Sequence, residues 1–199
     1  METILEDCRT SLVAALRHRG FLEREIEDAL RAFEYSSRVH ARQTRANGKP
    51  YVTHPVEVAF IYIGELEFTD IQGVLILILH DTIEDGDNPD EIFLEIQRMF
   101  GNEVAQSVVF LSKKPGEHAY LRRFRYARIR EQFMKLCDRL HNMRNPNIRD
   151  LVRFERKREE TRREILPIAR QLIKRLPVVD RWRAEHLLRE LTEHSRARR

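Results

Sequence analysis

The chain has 199 residues, which suffices for one sizeable hydrophobic core and is marginal for two domains. Hydrophobic residues make up 42% and charged residues 34%, with only seven glycines and seven prolines, which excludes a disordered chain and favours helices over a sandwich or barrel. The net charge of +4 favours anionic partners such as nucleotides, and the two cysteines show no zinc or disulfide spacing.

The N-terminal segment shows no targeting signal and predicts two scaffold helices. Residues 1–10 contain no basic stretch followed by an apolar one, so no secretory signal is visible and we expect a cytoplasmic protein. Apolar residues recur at helical spacing over 4–16 and 21–40, which predicts two amphipathic helices. The pattern breaks over 41–53, where Asn-Gly and Lys-Pro pairs predict a basic loop.

This loop leads to His54 and Pro55. Because proline suits the first turn of a helix, His54 is expected at the N-terminus of a helix over 56–66. A histidine held there, beside a basic loop, is well placed to bind a metal or an anion. Taken alone, such a histidine is more often a structural or capping residue.

An apolar run over 74–79 ends in His80 and Asp81, and Glu84 and Asp85 follow one helical turn later. The run is shorter than the roughly 20 residues of a membrane span, and it favours a buried helix over a strand. In one continuous helix, His80 shares a face with Glu84, and Asp81 with Asp85. Burying these groups is costly unless a metal or a cation compensates them, although a solvated helix end is the simpler alternative.

Further helices are predicted downstream. Asn88, Pro89 and Glu91 mark a helix start over 89–100, and a second helix is expected over 103–111. The arginine-rich stretch 121–130, with aromatic residues interleaved, is either a nucleic-acid surface or an amphipathic helix with a wet arginine face. We favour the amphipathic helix, because charge runs usually form a solvated face.

The helix predicted over 133–143 carries a second group of polar residues. Asp138 and Asn142 are four residues apart and share one face. An aspartate flanked so closely by apolar residues is either salt-bridged to Arg139 or a metal ligand. A charged helical pattern, interrupted near Pro167, follows over 150–176, and one more helix follows Pro177.

The polar residues form an ordered candidate metal set: His54, His80, Asp81 and Asp138. Two imidazoles and two carboxylates are suitable ligands for a divalent transition metal and leave coordination positions open for water and substrate. The adjoining Glu84 and Asp85 can orient a water molecule or move a proton. The chain lacks the motif of a serine hydrolase and a glycine-rich phosphate loop.

The order H…HD…D is similar to that of the HD-domain metal-dependent phosphohydrolases, and longer motifs resemble the Rel/SpoT-type hydrolase domain. Residues 45–59, RANGKPYVTHPVEVA, resemble R-x-x-G-x-P-Y-x-x-H-P-x-x-V-A. Residues 79–85, LHDTIED, resemble LHDTVED, and 100–105, FGNEVA, resemble F-G-x-x-V-A. Residues 135–144, KLCDRLHNMR, resemble KLADRLHNMR, so four motifs follow the family's order.

The resemblance implies an all-α HD-domain helical bundle that uses Mn²⁺, or another divalent transition metal, to hydrolyse the stringent-response alarmone (p)ppGpp. Loss of the 3′-pyrophosphate gives GDP or GTP. The implied metal ligands are His54, His80, Asp81 and Asp138, and Glu84 and Asp85 are the implied catalytic residues acting on the attacking water and the leaving group. The resemblance implies that Arg45 and Asn47 contact the nucleotide, and that Asn142 either contacts the ribose or helps to order the site. The residues implied to contact phosphates are Lys113, Lys114, Arg122 and Arg123.

Three positions depart from the family pattern. Ala46 stands where a second basic residue is usual, Asn47 where serine is common, and Ile165 where tyrosine is usual. None belongs to the implied metal set. The resemblance therefore supports metal-dependent hydrolysis more strongly than it supports a preference for guanine. The alternative substrate is (p)ppApp or another nucleotide such as NADPH.

We predict a single HD-type hydrolase domain over 1–199, with a motif core over 43–145 and a basic helical part over 150–199. The chain resembles the stand-alone small alarmone hydrolases, some of which act as antitoxins, so a small alarmone synthetase is a candidate partner. No membrane or nucleic-acid partner is expected. A non-catalytic binding module is the third alternative, suggested by the basic C-terminal third, but such a module needs neither Glu84 nor Asp85.

Overall fold

The computed structural model describes residues 2–113, 116–147 and 149–196, and it confirms the predicted all-α fold. Within these ranges there is no strand, only an isolated bridge between Thr44 and Pro50. The chain divides into two compact units, Met1–Tyr120 and Leu121–Arg199, each with its own buried apolar residues. The single hydrolase domain over 1–199 stays a prediction.

The first unit is built around one fully apolar helix. Its helices are α1 (Glu2–His18), α2 (Glu23–Val39), α3 (Thr53–Phe60), α4 (Ile71–Leu79), α5 (Thr82–Asp85), α6 (Pro89–Phe100) and α7 (Asn102–Leu111), with a π-helical turn, Ile61–Glu65, directly after α3. Helix α4 is buried from Gly73 to Leu79 and packs against α2, α3 and α7. Surrounding helices therefore hold the end of α4 in a fixed place, and that end carries His80 and Asp81.

The central helix ends before the shared faces expected of one continuous helix through Asp85 can form. Helix α4 stops at Leu79, and the short helix α5 begins at Thr82. His80 Nδ1 donates to the Leu77 carbonyl and Thr82 Oγ1 donates to the Leu79 carbonyl, each at 2.7 Å. These side chains occupy carbonyl oxygens that the next helical turn would use, and this competition ends the helix.

Helix α4 begins at a tightly packed cap. The Asp70 carboxylate accepts a hydrogen bond from Gly73 N at 2.7 Å and another from the Tyr62 hydroxyl at 2.6 Å. A Cβ at position 73 would lie 2.7 Å from both Asp70 Oδ1 and Tyr62 Cε1. Only glycine fits here without moving the cap.

We expect Gly73→Ala to lower the free energy of unfolding by about 2 kcal/mol, because the new methyl group overpacks the core and displaces the cap. Urea unfolding followed by circular dichroism measures this. Gly64→Ala is the matched control, since nothing lies within 4 Å of the position that its new methyl group would occupy. Equal stability of the two variants would contradict the packing explanation.

The second unit is organised around a long buried helix. Helix α8 (Glu117–Arg125) crosses the boundary between the units, and the elements that follow are α9 (Ile129–Arg144), α10 (Leu151–Glu160), a π-helical turn (Thr161–Ile165), α11 (Leu166–Arg175), a 3-10 turn (Val178–Asp180) and α12 (Arg181–Ser195). Helix α9 packs against α11 and α12, and every residue from Glu131 to His141 is buried. The predicted interruption near Pro167 is the π-helical turn, with the proline in the first turn of α11.

The arginine-rich stretch 121–130 is helical over 121–125, at the end of α8, and is then interrupted over 126–128 before α9 begins at Ile129. Phe124 is fully buried, whereas Arg122 and Arg125 are exposed. This is the pattern of a helix with a solvated arginine face. In the described part of the chain, no helix combines the length and the apolar character needed to cross a bilayer.

Candidate functional site

His54 lies in the first turn of α3, as predicted from the proline that follows it. The helix begins at Thr53, and the His54 backbone N–H donates to the Tyr51 carbonyl at 2.9 Å. The imidazole is 3% exposed. A polar ring buried this deeply needs polar partners, so a free surface histidine is excluded.

His80 and Asp81 occupy the break between α4 and α5. The Leu77 carbonyl can only accept, so its 2.7 Å hydrogen bond with His80 places the ring proton on Nδ1. In the neutral ring, Nε2 therefore carries the lone pair. A backbone hydrogen bond of this kind is the usual way in which a metal-binding histidine is oriented and its tautomer selected.

These three side chains converge on one point. His54, His80 and Asp81 each offer a ligand atom, and the three atoms lie within 4.8 Å of one another. Asp81 Oδ2 lies 3.5 Å from His54 Nε2, and Asp81 Oδ1 lies 3.2 Å from His80 Nε2. Two imidazole nitrogens and one carboxylate, nearly enclosed by protein, match the donor set and burial of a divalent transition metal site.

Tyr51 is a further member of the site that sequence reasoning missed. Its hydroxyl donates to Asp81 Oδ2 at 2.8 Å, and its ring meets the His54 ring edge-on at 5.9 Å. On the other side, the buried His40 ring stacks on Tyr51 at 4.6 Å. The pKa of His40 is lowered, chiefly by burial. The only sequence signal was the position of Tyr51 within the motif that contains His54.

Glu84 and Lys113, predicted in separate roles, are neighbours. The Lys113 backbone N–H donates to Glu84 Oε2 at 2.8 Å, and Lys113 Nζ lies 3.8 Å from Glu84 Oε1. The loop after α7 therefore holds the Glu84 carboxylate in one orientation. Lys114 lies outside the described residues.

Asp85 ends helix α5 and is more exposed than Glu84. Its pKa is raised above the ordinary aspartate value, first by burial and then by the Asp81 and Glu84 carboxylates. A hydrogen bond with Tyr51 opposes part of this rise in pKa. The surroundings of Asp85 therefore differ from those of a solvated surface carboxylate.

The loop before α3 has its own closed geometry. The Arg45 N–H donates to the Lys49 carbonyl at 2.8 Å, and the Gly48 N–H donates to the Arg45 carbonyl at 2.9 Å. Asn47 Oδ1 accepts from Lys49 N at 3.1 Å. The Asn47 side chain thus stabilises the loop itself. The substrate contacts predicted for Asn47 and for half-buried Arg45 stay predictions.

In the second unit, Asp138 is buried and held by two donors. Lys135 Nζ lies 2.8 Å from Asp138 Oδ2, and Asn142 Nδ2 donates to Asp138 Oδ1 at 2.6 Å. Arg139, suggested as the salt-bridge partner of Asp138, pairs with Glu160 instead. Adjacent residues on a helix point in different directions, whereas residues three apart are neighbours.

The remaining predicted phosphate contacts lie on α8. Arg122 is exposed and Arg123 is half-buried. Both belong to the second unit. Their role in phosphate binding, and that of Asp138 as a metal ligand, stay predictions.

Comparison with known proteins gives one family and several relatives. The family model of the HD domain matches residues 32–179. A GTP pyrophosphokinase of Myxococcus xanthus is 35% identical over an alignment of 157 residues, and the match covers 71% of this chain and 20% of that protein. The bifunctional (p)ppGpp synthase/hydrolase SpoT of Escherichia coli K12 is 32% identical over an alignment of 183 residues, and the match covers 86% of this chain and 24% of SpoT. The chain therefore spans only a fifth to a quarter of these relatives.

A solved structure shares the fold. It is that of a metazoan orthologue of SpoT described as hydrolysing ppGpp. The match covers 82% of this chain and 94% of that one, with a TM-score of 0.59 and 22% identity. At this identity the likeness concerns the fold alone.

Proposed function

This chain belongs to the HD-domain family of metal-dependent phosphohydrolases, with Rel/SpoT proteins among its relatives, and on that premise we propose that it hydrolyses (p)ppGpp. In the proposed reaction, water attacks the phosphorus atom bonded to the 3′-oxygen of the nucleotide. The bond between that phosphorus and the 3′-oxygen breaks, and the oxygen takes up a proton. The products are pyrophosphate and GDP or GTP.

One observation carries the proposal: the convergence of His54, His80 and Asp81 within 4.8 Å. These residues lie in two separate motifs of the Rel/SpoT resemblance, so the fold brings together residues that are apart in the sequence. The burial of the imidazoles and the tautomer selected at His80 both suit a bound divalent cation.

The three residues would hold the metal, and we propose Asp138 as a fourth ligand on the strength of its motif. We propose Mn²⁺, as the resemblance implies. A bound divalent metal lowers the pKa of water and neutralises charge on a phosphoryl group. The chain's own part is to fix the ligands, which Tyr51 does for Asp81, and which Lys135 and Asn142 do for Asp138.

Glu84 and Asp85 are the proposed catalytic pair. They move a proton from the attacking water and supply one to the departing 3′-oxygen. The contact of Glu84 with Lys113 fixes one carboxylate of the pair. The pKa of Asp85 is raised by burial and by the neighbouring carboxylates, and raised carboxyl pKa values are common at functional sites.

The basic residues are proposed to bind the anionic substrate. Arg45 contacts the nucleotide from the loop before α3, and Lys113 contacts phosphate while bound to Glu84. Further proposed contacts are Asn47, Lys114, Arg122 and Arg123. For Asn142, the hydrogen bond to Asp138 supports the ordering role rather than the ribose contact.

The test is an incubation of the purified protein with ppGpp in Mn²⁺ or in EDTA, with products separated by anion exchange. We expect equal amounts of GDP and pyrophosphate in Mn²⁺ and no turnover in EDTA, because without the metal the attacking water would not be activated and the phosphoryl charge would not be neutralised. Hydrolysis that persists in EDTA, or no hydrolysis in Mn²⁺, would contradict the proposal.

A second candidate substrate is (p)ppApp or another nucleotide such as NADPH. The supporting observation is the loop: Ala46 lacks the usual charge, and Asn47 is engaged with Lys49. Ile165 gives no such support, since it is 1% exposed within the second unit. Faster turnover of ppApp than of ppGpp under the same conditions would favour this candidate.

The proposed activity also implies a cellular role, a location and a partner protein. A (p)ppGpp hydrolase acts in the stringent response and in the cytoplasm, and we propose a cognate small alarmone synthetase as its partner. These proposals rest on the resemblance to the stand-alone hydrolases. Co-purification of a synthetase with the tagged protein tests the partner.

A further inference from the structure

Among the described residues of the first unit, three tyrosine hydroxyls are seen to donate to carboxylates, and one of these carboxylates belongs to the candidate metal set. Tyr35 donates to Glu95 at 2.7 Å and Tyr62 donates to Asp70 at 2.6 Å. Tyr51 donates to Asp81 at 2.8 Å across 30 residues of sequence. The three bonds are chemically alike. Comparing the loss of each hydroxyl therefore distinguishes a general effect on stability from an effect at the candidate site.

The bond from Tyr51 determines which part of the Asp81 carboxylate is available. Oδ2 accepts the tyrosine hydroxyl, while Oδ1 faces His80 Nε2 at 3.2 Å. Asp81 precedes α5 without capping it through its side chain, so other contacts orient the carboxylate. The hydrogen bond from Tyr51 is one of these contacts, and it holds Oδ2 in place before any ligand binds.

The Tyr51 ring is itself held from behind. The buried His40 ring stacks on it at 4.6 Å with an interplanar angle of 30°. His40 Nδ1 donates to Gln43 Oε1 at 2.9 Å, and Gln43 Nε2 donates to the Asp85 carbonyl at 3.2 Å. The acceptor-only carbonyl of Asp85 sets the orientation of the Gln43 amide, which in turn sets the proton on His40.

These contacts form one connected layer behind the candidate site. It begins at His40 at the end of α2, includes Gln43 and Tyr51 in the loop before α3, and ends on both sides of the α4–α5 break, at Asp81 and at Asp85. Tyr51 donates to the Asp81 carboxylate and Gln43 donates to the Asp85 carbonyl, so hydrogen bonds define both ends of the layer. Residues from three separate parts of the chain thus fix one proposed metal ligand and one proposed catalytic residue.

We infer that Tyr51 is a positioning residue that orients Asp81 for metal binding, with His40 and Gln43 holding Tyr51 in place. The inference rests on the proposed function, in which Asp81 is a metal ligand. Hydrogen-bond partners of metal ligands fix ligand geometry, and removing one typically weakens metal binding by about 10- to 100-fold. Tyr51 acts through Asp81 and needs no contact with the substrate.

The test compares Tyr51→Phe with wild type and with Tyr35→Phe, by titrating each purified protein with Mn²⁺ and measuring free Mn²⁺ by electron paramagnetic resonance. Tyr51→Phe keeps the ring that stacks on His40 and removes only the hydroxyl. We expect its Kd for Mn²⁺ to rise about 10-fold or more, and the Kd of Tyr35→Phe to equal that of wild type. Raising Mn²⁺ should restore turnover to Tyr51→Phe, which a folding defect would not allow.

A Tyr51→Phe protein with wild-type Kd would overturn the inference, and so would an equal rise in Kd for Tyr35→Phe. The binding titration does not depend on turnover. If the wild-type protein binds Mn²⁺ but releases no pyrophosphate from ppGpp, the proposed function fails, and the comparison of Kd values still decides the role of Tyr51. A wild-type protein that binds no Mn²⁺ overturns both.

Discussion

Replacing Asp81 by asparagine is expected to abolish Mn²⁺ binding and, with it, all hydrolysis. Both carboxylate oxygens are in use: Oδ2 contacts Tyr51 and lies 3.5 Å from His54 Nε2, and Oδ1 lies 3.2 Å from His80 Nε2. An asparagine of the same shape has no charge and presents one donor where a ligand oxygen stood. The loss of affinity should exceed the roughly 100-fold typical of removing an outer hydrogen-bond partner.

The same variant should fold normally. A carboxylate that is only 13% exposed is costly without a compensating cation, so Asp81→Asn in EDTA should have a Tm equal to or above that of wild type. Mn²⁺ should raise the Tm of wild type, because a ligand that binds only the folded state stabilises it, and should leave that of the variant unchanged. Differential scanning calorimetry with and without Mn²⁺ measures both effects.

Glu95→Gln is the matched control for this experiment. Its carboxylate also accepts a tyrosine hydroxyl in the first unit, from Tyr35 at 2.7 Å, and its replacement removes the same charge. It should bind Mn²⁺ like wild type. An Asp81→Asn protein with a preserved Mn²⁺-dependent rise in Tm would show that Asp81 is not a ligand.

Replacing Lys135 by methionine is expected to lower the free energy of unfolding by about 3 kcal/mol, because removing one partner of a buried ion pair leaves an uncompensated charge. Lys135 and Asp138 are 3% and 8% exposed, and their charged atoms lie 2.8 Å apart. Methionine retains most of the lysine stem, so lost packing contributes little. Urea unfolding in EDTA is the appropriate measurement.

A double variant separates the charge effect from packing. Lys135→Met with Asp138→Asn removes both charges, and it should regain most of the lost stability, since the two substitutions are coupled. Arg9→Met breaks an exposed ion pair of the same i, i+3 spacing, with Glu6, and should cost less than about 1 kcal/mol. If Lys135→Met were as stable as wild type, the Asp138 charge would not depend on Lys135.

Helix boundaries were predictable where the signal is local. Helix α6 begins at Pro89 and ends at Phe100, as predicted, because Asn88 accepts a hydrogen bond from Glu91 N and Gly101 follows with a φ of 90°. Capping residues act within one turn, so their effect can be read from a few neighbouring letters. The same holds for His54, whose place follows from Pro55.

The break at His80 and Asp81 was not predictable from the apolar pattern. The run 74–79 has the pattern of a continuing helix, and the helix ends because the His80 and Thr82 side chains bind the Leu77 and Leu79 carbonyls. Histidine and threonine can also occur inside a continuing helix. Which conformation forms here depends on the packing around α4, and the periodicity of apolar residues carries no information about that packing.

The three side chains that converge at the candidate site were predictable from the sequence, and the residues that support them were not. His54, His80 and Asp81 stand in motifs, so their types and order could be recognised, and the fold brings them together. The contact of Tyr51 with Asp81 joins two motifs 30 residues apart, and pairings across such distances need the tertiary fold. Lys135 was different: the i, i+3 rule points to it rather than to Arg139 as the partner of Asp138.

The most direct test of the metal centre is anomalous diffraction at the manganese edge from crystals grown with Mn²⁺. We predict one strong peak at about 2.1 Å from an imidazole nitrogen of His54, from His80 Nε2 and from an Asp81 oxygen, the distance at which divalent metals bind such ligands. His80 Nδ1 should remain on the Leu77 carbonyl. A peak bound to other residues, or no peak at saturating Mn²⁺, would contradict a metal centre at these three residues.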